Sequence, residues 1–149
     1  MNRYFASLFV WACLSVSMEA QITPQKITWR QLGTTRFEEI FDVSKNIWTQ
    51  KAIFPPDISV LNGKKVRITG YMVPVDATGN VYALSAYTFS SCFFCGGAGP
   101  ESVMGLEFKG LPKKYKTDQI VSLQGTFSLV SKPGMGFYFV LREVAEWTE

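Results

Sequence analysis

Apolar and polar side chains alternate along three stretches in the second half of the chain. In KKVRITGYMVPV, residues 64–75, every second side chain from Val66 to Met72 falls on one face, and the polar side chains Arg67 and Thr69 fall on the other. The same period of two recurs in residues 119–130 and 137–144. This period is typical of antiparallel strands with one buried face, so the pattern predicts a sheet.

Two further strands complete the predicted sheet, at residues 81–89 and 102–109. Gly70 and Gly125 fall in the middle of alternating stretches, where glycine marks a bulge or a sharp bend. Five short strands with such bends predict a mainly β fold, a small five-stranded OB-like antiparallel barrel spanning residues 59–149. A β-sandwich is the alternative.

The preceding segment, residues 21–58, has a different period. Thr35 and Glu38 have the spacing of a capping box, which predicts the start of a helix. Apolar side chains then recur at helical spacing: Phe37, Ile40, Phe41, Ile47 and Trp48. We therefore expect an N-terminal extension with one helix, preceded by a short strand at residues 27–29.

Residues 1–20 have the features of a signal peptide. Arg3 precedes an apolar stretch, residues 4–16, that is too short to cross a bilayer, and small residues follow it. Cleavage between residues 17 and 20 predicts a periplasmic or secreted protein. Cys13 lies in a loose lipobox, so a lipid anchor through Cys13 is the less favoured alternative, and membrane attachment is expected only in that case.

The chain of 149 residues contains no histidine, which excludes catalytic sites that use His as a base, His-containing zinc sites and haem attachment. The net charge of +3 and the Lys-rich loop at residues 113–116 do not predict nucleic-acid binding in an exported protein. Because no catalytic motif or carboxylate pair is present, we expect a non-enzymatic protein.

The chemistry of the sequence is concentrated in SSCFFCGGAGPES, residues 90–102. Once residues 1–20 are removed, Cys92 and Cys95 are the remaining cysteines. Two thiolates at this spacing can chelate a soft ion, Cu(I) or Zn(II). Glu101 and Met104 are candidate auxiliary ligands, and Met135 could also supply a thioether.

Two other interpretations of the cysteine pair stay open. A Cys92–Cys95 disulfide would close a very short loop and stabilise the fold only modestly. The second interpretation is thiol-disulfide exchange. Thioredoxin-like enzymes place such a cysteine pair at a helix N-terminus, whereas here the pair is followed by glycines, which are poor helix formers. We interpret Gly96, Gly97, Gly99 and Pro100 as residues that shape the loop, and Phe93 and Phe94 as buried aromatics.

Three segments within residues 27–145 are similar to those of a known family: NGKKVRITGYMVPVD, LSAYTF and CFFCGGAGPESVM. In these segments the sequence resembles the DUF3299 family of bacterial secreted and periplasmic proteins. The resemblance implies an OB-type barrel and an exported location, and an association of some members with metal transport systems. It does not bring a Cys-His metal site, because the chain lacks histidine.

These observations predict an exported binding or accessory protein. Its cysteine loop would handle a soft metal ion or form a disulfide, and its partner would be a protein or a metal in the cell envelope. The alternatives are a thiol-disulfide exchange protein and an OB-fold interaction module without a metal.

Overall fold

The computed structural model describes residues 23–132 and 136–148. The predicted signal peptide, Cys13 and Met135 lie outside these residues. The elements in chain order are β1 (Gln25–Lys26), α1 (Trp29–Leu32), β2 (Arg36–Asp42), β3 (Ile47–Ile53), α2 (Pro56–Ser59), β4 (Lys65–Pro74), β5 (Tyr82–Ser85), β6 (Val103–Glu107), β7 (Ile120–Leu129) and β8 (Phe139–Glu146).

Strands β4 to β8 form a closed barrel. The hydrogen-bonded order is β4-β5-β6-β8-β7, and a further pairing of β7 with β4 closes the sheet. Strand β1 adds a short parallel pair outside β4. The prediction of a small five-stranded OB-like barrel is confirmed. The prediction that all neighbouring strands of the barrel are antiparallel is wrong for one pair, because β6 and β8 run parallel.

The alternating side chains of β4 and β7 fill the barrel. Val66, Ile68 and Met72 of β4 are buried together with Leu123 and Phe127 of β7. The ring of Phe127 stacks on that of Phe139 in β8, with centroids 5.9 Å apart. Because the barrel interior is closely packed, truncation of Phe127 to Ala would cost about 3–5 kcal/mol of unfolding free energy.

The mid-strand glycines lie where backbones approach closely. A Cβ on Gly125 would lie 2.5 Å from the carbonyl oxygen of Arg142, and the β7–β8 register shifts between Gln124 and Thr126. A Cβ on Gly70 would lie 2.6 Å from the carbonyl oxygen of Ser85. The predicted irregularity at Gly125 is therefore a bulge that lets β7 bend around the barrel.

The prediction of a helix starting at Thr35 is wrong. Its residues form an antiparallel hairpin of β2 and β3, a separate two-stranded sheet. The reversal is made by local hydrogen bonds: the Asp42 carboxylate accepts from the Ser44 amide at 3.0 Å and from its hydroxyl at 2.6 Å. Asn46 completes the turn with a φ of 54°. The apolar residues that suggested one helical face are thereby divided between two strands.

A capping box is present in the chain, but earlier than predicted. The Thr28 side chain accepts from the Gln31 amide, and the Gln31 side chain accepts from the Thr28 amide at 2.8 Å. This capping box starts the single-turn helix α1, which buries Leu32. The strand expected at residues 27–29 is therefore absent from that segment. Of the helices in residues 23–132 and 136–148, none is long and apolar enough to span a bilayer.

Candidate functional site

The cysteine pair lies in the connection between β5 and β6, which is folded as a series of single 3₁₀ turns. These turns comprise Phe89–Ser91, Phe93–Cys95 and Pro100–Ser102. The carbonyl of Cys92 accepts from the amide of Cys95 at 3.1 Å and from that of Gly97 at 3.2 Å. These two bonds wrap the backbone around one carbonyl and bring both cysteines onto the same turn.

The two thiols differ in their surroundings. Cys92 is fully buried, and its Sγ–H donates to the carbonyl oxygen of Phe89 at 3.1 Å. Cys95 is exposed, and both residues are free thiols. The site therefore has one buried and one accessible sulfur on the same turn of the backbone.

The environment of Cys95 does not activate its thiol. Partial desolvation of the exposed Cys95 by the surrounding protein atoms and, after it, the neighbouring Cys92 raise the pKa of Cys95. Reactive cysteines of oxidoreductases are shifted in the opposite direction, by a helix N-terminus or a nearby cation. The turn Phe93–Cys95 has three residues and ends at Cys95. Such a turn supplies no aligned dipole to stabilise a thiolate.

The glycines after Cys95 have distinct steric requirements. Gly96 ends the turn with a φ of 75°, a left-handed conformation that side chains disfavour. A Cβ on Gly97 would lie 2.8 Å from the carbonyl oxygen of Ser91. The atoms nearest to a Cβ on Gly99 belong to the movable carboxylate of Glu101, and Pro100 begins the last turn. Gly96 and Gly97 are thus the positions that hold the loop in this shape.

The predicted auxiliary ligands, Glu101 and Met104, have different environments. Met104 is fully buried in the hydrophobic core of the barrel. Glu101 does not join Cys92 and Cys95 in a cluster: within residues 23–132 and 136–148, no group of three or more Cys, Asp or Glu side chains could hold a metal ion. Glu101 therefore forms no such group with the two cysteines, and Met104 belongs to the hydrophobic core.

The aromatic residues between the cysteines are exposed, which contradicts their predicted burial. Phe93 and Phe94 are 40% and 42% exposed, and their rings meet edge to face with centroids 5.8 Å apart. Phe94 also contacts Phe137, at 6.1 Å. Residues 86–99 carry no charged side chain. The accessible sulfur of Cys95 consequently lies in a segment that has exposed aromatic side chains and no charged residue of its own.

Asp118 is a positioning residue that the sequence did not reveal. It precedes β7, and its carboxylate accepts from the Phe89 amide at 2.6 Å. Its φ of 63° is left-handed, a conformation that Asp tolerates better than most residues. Asp118 fixes the turn that provides the carbonyl for the Cys92 thiol. Because Asp118 and Phe89 lie 29 positions apart, no local pattern could have predicted this contact.

Comparisons with known proteins give one match among solved structures. No family model and no curated protein matches the sequence. The fold is similar to that of a DUF3299 family protein from Pseudomonas aeruginosa PAO1, with a TM-score of 0.52 and 14% sequence identity. The match covers 85% of this chain and 98% of that chain. At this identity the likeness shows a shared fold, and it supports the DUF3299 resemblance of the sequence.

Proposed function

We propose that this barrel, which shares its fold with a DUF3299 family protein, is an exported non-enzymatic protein that binds one Cu(I) ion between Cys92 and Cys95. The observation that carries the proposal is the placement of both thiols on one backbone turn, where the carbonyl of Cys92 accepts from the amide of Cys95 at 3.1 Å. Thiolate sulfur is a soft ligand, and soft ligands select Cu(I) among the available metals.

The number of ligands favours Cu(I) over zinc. Structural zinc sites have four protein ligands, and catalytic zinc sites have three. In the described part of the chain, the two cysteines are joined by no third Cys, Asp or Glu ligand, and the sequence has no histidine. Two thiolates would satisfy a two-coordinate Cu(I) ion and would leave a zinc ion incomplete.

The loop assigns different roles to its residues. Cys95 is accessible and would meet an incoming ion first, whereas Cys92 would complete the site from the buried side. The exposed rings of Phe93 and Phe94 would limit access of water to a bound ion. Cys92, released from its hydrogen bond to Phe89, would lose its proton on binding, as would Cys95.

An exported location is part of the proposal. It is supported by the signal-peptide features of residues 1–20 and by the DUF3299 resemblance. An oxidising compartment would favour the competing disulfide, whose formation removes two electrons and two protons from the thiols. A bound Cu(I) ion would hold both sulfurs and so protect them from this reaction.

The test is a competition titration of the reduced full chain with a chromophoric Cu(I) chelator under nitrogen. We expect one Cu(I) per chain, confirmed by elemental analysis after gel filtration. Cys92→Ser and Cys95→Ser should each weaken binding by about a hundredfold or more, since one of two thiolate ligands is lost. Cys13→Ser is the matched control and should bind as the wild type does.

A chain that binds no Cu(I) after full reduction would contradict the proposal. If alkylation and mass spectrometry then show a quantitative Cys92–Cys95 disulfide in the isolated protein, the pair has a structural role. Insulin reduction that is lost in Cys92→Ser would instead establish thiol-disulfide exchange. A folded protein that shows neither Cu(I) binding nor thiol-disulfide chemistry would favour the interpretation as an interaction module without a metal.

A further inference from the structure

The tip of the β2–β3 hairpin carries a cluster of exposed apolar side chains. We define the hairpin tip as residues 41–48. Val43 is 82% exposed, Trp48 69%, Ile47 50% and Phe41 44%. Single exposed apolar residues are ordinary on protein surfaces, but a contiguous cluster of this kind marks a surface that is covered by another molecule.

The hairpin tip carries exposed apolar side chains on both of its faces. Phe41 pairs with Trp48 on one face, and their rings meet edge to face with centroids 5.3 Å apart. Ile47 pairs with Asp42 and points to the opposite face, because side chains alternate along a strand. Val43 lies in the turn between the strands. A protein docked against one face would leave the other in water, whereas an apolar medium surrounding the tip would cover both.

The polarity of the hairpin changes sharply along its length. Behind the tip, Glu39 pairs with Gln50 and Glu38 with Lys51. The base is fixed to the barrel, where the Ala52 amide donates to the carbonyl oxygen of Ser131 at 2.9 Å. The hairpin tip comprises two cross-strand pairs and a turn, about 10 Å at the rise of a β-strand. Interfacial segments bury their apolar face to about this depth in a bilayer.

The charged groups of the tip are compatible with such a position. The Asp42 carboxylate is already engaged by the amide and hydroxyl of Ser44 and lies 4.0 Å from the Lys45 ammonium. The Lys45 side chain is 69% exposed and long enough to reach lipid phosphates while its stem stays among apolar groups. The net charge of +3 favours a negatively charged surface over a neutral one.

We infer that the hairpin tip inserts into the interfacial region of an anionic phospholipid bilayer and holds the barrel at a membrane surface. Trp48 and Phe41 are the principal anchors, since aromatic side chains are favoured at the boundary between water and hydrocarbon. This inference rests on the hairpin alone and is independent of metal binding at Cys92 and Cys95.

Partition of the full chain into phosphatidylglycerol–phosphatidylcholine vesicles tests the inference. A triple variant, Phe41→Ser, Ile47→Ser and Trp48→Ser, should lower the partition coefficient by about tenfold or more. The matched control replaces three exposed apolar residues outside the hairpin, Val60→Ser, Val75→Ser and Leu111→Ser, and should partition as the wild type does. All three chains keep residues 1–20, so any binding by that segment is the same in each.

Trp48 itself supplies a second readout. Its emission, obtained as the difference between the wild type and Trp48→Phe, should shift to shorter wavelength with vesicles and be quenched by lipids brominated near the headgroup. Val43→Asp, in the exposed turn, should weaken partition even if the triple variant does not fold. Equal partition of Val43→Asp and wild type would overturn the inference. So would concentration-dependent self-association through the tip, without lipid, that leaves Trp48 unquenched by brominated vesicles.

Discussion

The ring of Phe137 lies directly over Gly105, so closely that a Cβ on Gly105 would be 2.5 Å from Cδ2 of Phe137. Gly105 is in the middle of β6, and Phe137 precedes β8. The same ring contacts Phe94, which lies between the two cysteines. Phe137 therefore connects the barrel wall to the cysteine loop, and the absence of a side chain at position 105 makes room for it.

Gly105→Ala should destabilise the barrel, because the new methyl group must displace the Phe137 ring from a packed position. We expect a loss of about 1–3 kcal/mol in the free energy of unfolding, measured by urea denaturation. Gly110→Ala is the control, because no atom lies within 4 Å of a Cβ at that position. Equal stability of the two variants would contradict the close packing of Phe137 on β6.

Gly97→Ala should change the cysteine loop more than the barrel. A Cβ on Gly97 meets the backbone of Ser91, which cannot move without displacing the turn before Cys92. We expect the alkylation rate of Cys95 to change by about threefold or more and Cu(I) affinity to fall by about tenfold. Gly99→Ala is the matched control, since the nearest atoms that its methyl group meets belong to the flexible carboxylate of Glu101. The idea fails if both variants react with alkylating agents as the wild type does.

Asp118→Ala should loosen the turn that holds Cys92. The change removes the acceptor of the Phe89 amide and places a residue without polar side-chain atoms at a φ of 63°. We expect a loss of about 1–3 kcal/mol of stability and faster hydrogen exchange at the Phe89 amide. Asp118→Asn keeps an acceptor oxygen and tolerates the left-handed conformation, so it should retain most of the stability. A stable Asp118→Ala variant with a protected Phe89 amide would show that this contact is dispensable.

Tyr115 should make the protein sensitive to alkaline pH. Burial, followed by the Glu146 carboxylate, raises the pKa of Tyr115 from 10.0 to about 12. Between these values the unfolded chain loses the phenolic proton and the folded chain keeps it, so unfolding free energy falls as pH rises. Below pH 10 both states are protonated and this contribution to stability is complete.

Urea denaturation between about pH 9 and about pH 12 would measure this effect. Tyr115→Phe should flatten the alkaline decrease in stability, and Tyr87→Phe, which removes an exposed phenol, should leave it as in the wild type. A decrease of the same steepness in Tyr115→Phe and wild type would place the titration elsewhere in the protein.

The strands of the barrel could be predicted because burial on one face imposes a period of two on the sequence. The predicted stretches at residues 64–75 and 119–130 correspond to β4 and β7. Gly125 signalled a bulge correctly, because glycine weakens the interior of a strand and occurs there mainly at bulges and sharp bends. The predicted strand at residues 81–89 was too long, since its second half turns into the 3₁₀ segment that leads to Cys92.

The hairpin was mistaken for a helix because its apolar residues satisfy either period. Phe37, Phe41 and Trp48 fit one helical face and also fit alternate positions of two strands. The deciding signal was turn chemistry: Asp42 and Asn46 flank a reversal, and both residue types stabilise turns through their side chains or a left-handed backbone. Phe41 and Trp48 are exposed, so they lack the core contact that the helical pattern implied.

Strand period and residue spacing are local properties, so the amino-acid sequence alone was enough to show which segments alternate and that two cysteines share one short loop. The parallel pairing of β6 with β8 emerged only in the folded chain, because it requires the chain to cross from one side of the barrel to the other. The burial of Cys92 and the exposure of Cys95 likewise arose from folding. That difference depends on Phe89 and Asp118, which are held in place by contacts between distant parts of the chain.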